Sequence, residues 1–403
     1  MKQLLTIIAI ISLASCGTKE TTPQVQYMNA PVGQNASLPH LITGENDQLY
    51  LSWVEKKDSG LVEFYYATMI EDKWSAPELI GSGNDWFVNW ADYPMIAADK
   101  DGNMVAHYLA KSSSGTYSYD VNVKYKRANG EWLGPIIPHK DGTPTEHGFA
   151  TLLPQNDGTF MLAWLDGRNT GGGEHEGHEG HDMGGAMTIR TAVLDLDGNL
   201  SEEAELDGRV CDCCQTSGTM TTKGALFAFR DRSETEVRDM SIVRKINNEW
   251  TPSQDISEDN WEIKGCPVNG PRLSTNGNTT GLIWFSAAKG EPKVKIKFSQ
   301  DGGETFGSAI EISSETLGRV DIDMINETTA TVSWLAANDT ASFIMSRGVN
   351  VDGTLTDPTQ IARTSSSRAS GFPQLTNWKG NSYFAWTHIE DESSTVKMAK
   401  LVE

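Results

Sequence analysis

The run Leu49-Tyr50-Leu51-Ser52-Trp53 decides the fold, because its pattern returns six times. The copies are Met104-Val105-Ala106-His107-Tyr108, Phe160-Met161-Leu162-Ala163-Trp164, Ala225-Leu226-Phe227-Ala228-Phe229, Thr280-Gly281-Leu282-Ile283-Trp284, Ala330-Thr331-Val332-Ser333-Trp334 and Ser382-Tyr383-Phe384-Ala385-Trp386. Each is short, mostly apolar and ends in an aromatic. Gly, Asn and Asp clusters bound them, so they read as buried strands. The closing aromatics stand 55, 56, 65, 55, 50 and 52 residues apart. Self-similarity at such a period marks a repeat architecture.

Two further signals keep step with the first. Pro39, Pro94, Pro271 and Pro373 lie 14, 14, 13 and 13 residues before their aromatics. Each is placed to begin a preceding strand, where a missing N–H costs least. After each run comes a fourth element: Trp74-Ser75-Ala76-Pro77, Trp132-Leu133-Gly134-Pro135, Trp250-Thr251-Pro252, Phe306, and weaker versions at Leu200 and Leu355. The seventh copy is missing after the strand expected at Thr395 to Val402, and it reappears near the start as Met28-Asn29-Ala30-Pro31. The expectation is an all-β, seven-bladed β-propeller, its last blade closed by the N-terminal strand. The blades fall at about 38–82, 90–140, 146–208, 210–260, 261–314, 317–363, and 368–403 with 24–34. Residues 24–403 read as one domain.

The first residues read as an address. Lys2 and the apolar stretch Leu4 to Leu13 have signal-peptide proportions. Leu13-Ala14-Ser15-Cys16-Gly17 resembles the lipobox of bacterial lipoproteins. That predicts a signal peptide over 1–15, lipid attachment at Cys16 and a polar tether over 16–23. The expected location is the bacterial cell envelope, on the outer membrane. With 54 acidic against 33 basic side chains the net charge is −21, which argues against nucleic acid as a partner. A closed ring leaves few strand edges to pair, so a monomer is expected.

Ser299-Gln300-Asp301-Gly302-Gly303-Glu304-Thr305-Phe306 matches the Asp-box, Ser-x-Asp-x-Gly-x-Thr-Phe/Trp. The chain thereby resembles the sialidases and related BNR-repeat propellers over nearly its whole length. Asp197-Gly198, Asn129-Gly130 and Asp352-Gly353 sit where degenerate boxes belong. The resemblance implies a six-bladed ring as the alternative to seven. It also implies an arginine triad gripping a carboxylate, a Tyr–Glu nucleophile pair and a carboxyl acid/base. The Arg-Ile-Pro motif of the first arginine is absent. Asp-boxes report fold and not activity.

Repeat register places the entries of the first strands and the ends of the second strands on one face, around the mouth of the ring. The arginines expected there include Arg168, Arg232, Arg319 and Arg368, which suit a carboxylate or sulfate. Asp92, Glu146, Asp166 and Asp231 are the acid/base candidates, and Tyr93 or Tyr117 the candidate phenol. The same charges also suit ion pairs between blades. Cys211, Cys213 and Cys214 enter one blade and Cys266 the next, with His147 nearby. The Gly-rich insertion from Gly171 to Met187 adds His175, His178 and His181. Thiolate and imidazole suit copper or zinc. Disulfides Cys211–Cys266 and Cys213–Cys214, a redox-active thiol site and inert thiols stand beside that reading.

The leading expectation is a lipid-anchored propeller that binds an acidic glycan or other anion at its mouth, extending to sialidase-type hydrolysis with Asp231 or Glu146 as acid. The alternatives are an envelope metal-binding or thiol-redox protein, and a protein-interaction scaffold.

Overall fold

The computed structural model describes residues 23–171, 185–338, 341–391 and 393–402. Seven antiparallel sheets follow one another along the chain. The blade order is the one the repeats predict. Blade 1 starts at Ala36–Thr43, blade 2 at Met95–Ala98, blade 3 at His147–Pro154 and blade 4 at Ser217–Thr221. Blade 5 starts at Arg272–Asn276, blade 6 at Gly318–Asn326 and blade 7 at Gln374–Trp378. These innermost strands surround a channel of about 840 Å³ to which all seven blades contribute. Its mouthward end is narrowed by Arg272, which donates to the Tyr93 hydroxyl, and by Gln374, which reaches the same hydroxyl at 3.1 Å.

The ring closes as the sequence spacing requires. Gln24–Met28 pairs antiparallel with Ser393–Val402, in register from Gln24 opposite Val402 to Met28 opposite Met398. The last blade is therefore built from both ends of the chain, with Gln24–Met28 as its outermost strand.

The second strands are buried almost throughout, as in Phe160–Asp166 and Thr279–Ser286. Their closing aromatics, from Trp53 to Trp386, are between 0 and 8% exposed and fill the spaces between neighbouring blades. A carboxylate two residues on shares the strand face and can take the indole N–H. Trp164 donates to Asp166 at 2.8 Å and Trp53 to Glu55 at 2.9 Å.

Pro94, Pro271 and Pro373 come immediately before their innermost strands, whereas Pro39 lies inside Ala36–Thr43. A bulge explains the exception. Leu38 has φ 53°, and the pairing shifts between Ser37 and His40. The same device recurs at Phe149 (φ 50°) and Arg319 (φ 51°), each beside a register shift. A bulge bends the strand where it enters the mouth and re-aims its side chains.

The Asp-box forms the hairpin between Lys293–Ser299 and Ile310–Ser313. Asp301 Oδ1 accepts the Glu304 and Thr305 N–H groups at 3.0 and 2.9 Å. Gly302 and Gly303 supply φ of 73° and 81°, and Phe306 packs on the core between blades 4 and 5. The box lies at the far end of the third strand from the mouth. Among the described residues no helix is long and apolar enough to cross a membrane.

Candidate functional site

The four cysteines after the signal-like segment meet at the mouth. Cys211-Asp212-Cys213-Cys214 is the turn that leads into blade 4, and the Cys211 N–H is anchored on the Arg230 carbonyl at 2.9 Å. Cys211 Sγ lies 2.9 Å from Cys214 Sγ and 3.8 Å from Cys213 Sγ. The three sulfurs lie within 4.8 Å of one another. Cys266, exposed on the approach to blade 5, lies close enough to Cys213 to influence its thiol but stands outside that group of three. All four are unbridged. The closest sulfurs are those of Cys211 and Cys214.

Arginines surround the sulfurs. Arg238 Nη1 donates to Cys211 Sγ at 3.4 Å, and Arg238 is held by Glu236 at 2.8 Å. Arg230 is fixed by the carbonyls of Asn269, Phe285 and Arg238. Burial pushes the Cys211 thiol up to about 11. Burial also acts on Cys214, but hydrogen bonds from Cys211 and Cys213, with the Arg230 charge, hold it well below the usual thiol range. The turn thus gathers thiols shifted in opposite directions into one hydrogen-bonded set, a start toward a metal's ligand set.

The arginines picked from the sequence do not converge. Arg232 grips Glu236 at 2.7 Å and Asp212 at 3.2 Å, beside the cysteines. Arg168 binds Asp166 through Nε and Nη2, both at 2.7 Å. Arg319 is buried and gives its guanidinium to the Ser370 hydroxyl and to the carbonyls of Gly371, Ser366 and Ser367. Arg368 is exposed, in the short turn Arg368–Ser370. Three of the four are already engaged with partners inside the protein.

The carboxyl candidates also separate. Burial lifts Asp231 to about 6, and its charged neighbours are Asp207, Asp255 and Arg209. Glu146 instead accepts a hydrogen bond from the Tyr119 hydroxyl. Burial raises Glu146 to about 8, with Asp92 adding to the rise. Asp92 is buried, raised to about 7 by that burial, and takes the Phe149 N–H at 2.8 Å. Tyr119 is stacked on Phe87 at 4.1 Å and sealed from solvent. Tyr93 and Tyr117 are not the phenol beside the glutamate: Tyr93 serves the channel and Tyr117 is exposed. The sequence reading missed Tyr119 because it starts a third strand, a position outside the two strand ends considered.

His147 lies apart from the cysteines. It stacks on His139 at 3.7 Å, against Asp120, Asp141 and Asp166. His139, Asp120 and Asp141 were not picked from the sequence. The only hint was His139-Lys140-Asp141 in the connection to blade 3, two ligand-type residues on alternate positions. His175, His178, His181 and Cys16 lie outside the described residues.

No protein-family model and no curated protein matches the chain. Solved structures do. A protein of unknown function from Dyadobacter fermentans superposes with TM-score 0.52 at 12% identity, covering 94% of this chain and 97% of that one. An ulvan lyase of polysaccharide lyase family PL25 gives 0.55 at 10% identity, over 93% and 95%. The Hadza microbial sialidase Hz136 gives 0.50 at 15% identity, over 85% and 73%. Identities this low speak for the fold alone. In fold, the chain is a seven-bladed β-propeller similar to the propellers of these structures.

Proposed function

We propose that this protein is a metal-binding propeller of the bacterial cell envelope, which holds copper(I) or zinc on Cys211, Cys213, Cys214 and Cys266. The convergence of three sulfurs within 4.8 Å of one another at the entry to blade 4, with Cys266 approaching from the next entry, carries the reading. Zinc–sulfur bonds of about 2.3 Å place the sulfurs of a tetrahedral site roughly 3.8 Å apart. The Cys211–Cys213 separation of 3.8 Å matches that edge. The Cys211–Cys214 separation of 2.9 Å is shorter than such an edge, yet longer than the ~2.05 Å of a disulfide. Thiolates select soft ions, and Arg230 and Arg238 offset the negative charge of a four-thiolate set. The lipobox-like segment supports anchoring through Cys16.

The test is metal content and free thiol on residues 17–403, purified under reductant. One equivalent of copper or zinc, lost in Cys213→Ser and Cys266→Ser, is the expected result. No metal, with a Cys211–Cys214 disulfide found by mass spectrometry, would overturn it. Labelled palmitate incorporated in cells and lost in Cys16→Ser would test the anchor.

A second reading is favoured by the Tyr119–Glu146 pair with Asp92 beside it. It corresponds to the nucleophile pair and acid that the sialidase resemblance implies. In this reading the mouth binds an acidic glycan. The Tyr119 oxygen attacks the anomeric carbon, Glu146 takes the phenolic proton, and Asp92 protonates the departing oxygen. Tyr119 must then be reached from solvent, and its burial weighs against the reading. Turnover of sialosides or uronate-bearing oligosaccharides, abolished in Tyr119→Phe, would support it. Absence of turnover on both substrate classes would remove it.

A further inference from the structure

A second cluster of ligand-type side chains lies between blades 2 and 3, away from the cysteines. Tyr119–Lys126 brings Asp120, the connection that follows Leu133–Ile136 brings His139 and Asp141, and His147–Pro154 brings His147. Asp166 ends the next strand, with Arg168 on it. The two imidazole rings are parallel within 9°, with centroids 3.7 Å apart, and both are buried.

The rings are oriented from one side. Asp141 Oδ2 lies 3.2 Å from His139 Nδ1 and 3.2 Å from His147 Nε2. Asp141 is itself fixed by the Thr143 N–H at 2.9 Å and by the Thr143 hydroxyl. Asp141 Oδ2 hydrogen-bonds His139 Nδ1, which leaves His139 Nε2 as the nitrogen free to ligate. His139 Nε2 and both ring nitrogens of His147 are buried without a hydrogen-bond partner. His139 Nε2 and His147 Nδ1 face Asp120 Oδ1, at 3.8 and 3.5 Å. Buried nitrogens left in that state are costly unless a cation joins them.

Charge leads the same way. Arg168 pairs with Asp166 and Asp141 and is shared with Glu203, and among the described residues Asp120 has no lysine or arginine partner. A divalent ion would neutralise the remainder. Ligands on a metal with bonds of about 2.1 Å stand roughly 3.0–3.5 Å apart, close to the separations found here.

We infer that this cluster is a divalent transition-metal site, with His139 Nε2, His147 Nδ1 and the Asp120 carboxylate as ligands and Asp141 as the outer support. Two imidazoles and one carboxylate leave coordination positions open and suit zinc, manganese or iron(II) rather than copper(I). The site is distinct in chemistry and place from the thiolate cluster.

Cobalt(II) separates the two, because thiolate ligation gives an intense sulfur-to-cobalt charge-transfer band and nitrogen–oxygen ligation does not. Titration of the reduced full chain with cobalt(II) should show one equivalent bound without that band. His139→Gln and Asp120→Asn should each weaken this equivalent at least about tenfold, as loss of a ligand does. The thiolate band should be unchanged in both. If His139→Gln melts early, Asp120→Asn on a partly exposed position still decides. Failure to find a band-free equivalent, or its indifference to both substitutions, would overturn the inference. Loss of the thiolate band alone would speak against the cysteine site and leave this one standing.

Discussion

Replacing Arg319 by methionine removes a guanidinium while keeping an unbranched apolar stem in the same space. The side chain makes four hydrogen bonds, to Ser370 Oγ and Gly371 O at 2.8 Å each and to Ser366 O and Ser367 O at 3.2 and 3.1 Å. It also lies over Trp90 at 5.1 Å. Charged hydrogen bonds contribute about 1.5–3 kcal/mol each. The lower figure is apt here, because Ser366 and Ser367 are exposed and their carbonyls can turn to water. Four such bonds give about 6 kcal/mol, and the aromatic contact roughly 1 more. Against this stands the cost of burying the charge. Burial lowers Arg319 from the usual guanidinium range to about 10. That drop corresponds to about 3 kcal/mol. The net loss expected for Arg319→Met is therefore about 3–5 kcal/mol. With an unfolding entropy of about 2.1 cal/mol/K per residue over a chain of this length, the melting temperature should fall by roughly 4–6 °C. Differential scanning calorimetry measures it directly. A carboxylate-clamping arginine makes the opposite forecast: unchanged or raised stability, and lost affinity for an anionic ligand. A melting temperature within 1 °C of the parent would refute the assignment of Arg319 as a staple between blades 6 and 7.

Three more outcomes follow from the geometry. In Gly148→Ala the new methyl would meet the Asp92 carboxylate at 2.1 Å and the Tyr119 ring at 3.0 Å. A loss of about 1–3 kcal/mol in urea unfolding is expected, and a silent substitution would count against the tight packing under Glu146. Asp301→Ala removes the acceptor of two backbone N–H groups in the Asp-box. It should lower stability by about 1–2 kcal/mol and leave metal content unchanged, since the box is remote from the mouth. Asp92 holds its proton in the folded protein up to about 7, against 3.8 when unfolded. Its raised value means that the cost is absent below pH 4, grows between pH 4 and 7, and is constant above. Asp92→Asn should match the parent near pH 4 and exceed it by up to about 4 kcal/mol at pH 8. A difference that does not change with pH would sink this reading of Asp92.

The ring was legible because a propeller repeats its physics. Trp53, Trp164, Trp284 and Trp386 each plug the gap beside a second strand, so their spacing reports the blade. The closure was legible from the missing last copy, although the strand that supplies it is Gln24–Met28 and the Met28-to-Pro31 copy follows that strand. The meeting of Cys213 and Cys266 was legible for the same reason: adjacent blade entries are neighbours in space. The partners of Arg319 were not. Three of its four acceptors are backbone carbonyls, and no residue pattern announces which carbonyl a bent loop will turn inward. Tyr119 and His139 were missed on different grounds. Tyr119 begins a third strand, and His139 sits in a connection, where register arguments from the first two strands have nothing to say.

The two clusters divide the mouth by electrostatics. The chain carries a net charge of −21, so positive side chains near a site are a choice rather than a background. Around the sulfurs stand Arg230, Arg232 and Arg238, with Asp212 and Glu236 as their counter-ions. Around the stacked histidines stand three carboxylates and Arg168. Thiolates bring their own negative charge, and buried without cationic neighbours they would stay protonated and inert. Imidazoles bring none, so carboxylates must supply the field that draws a divalent ion. The arginines that the sequence offered as a clamp for an anionic ligand are thus accounted for differently at each place. Arg232 steadies the turn that carries the thiols, Arg168 partly offsets the acids behind the histidines, and Arg319 ties two blades together. An external carboxylate would have to displace an internal partner to reach any of the three. A mouth arranged this way is better suited to gathering cations than to gripping an anion, and metal content is the first property in which that difference should be visible.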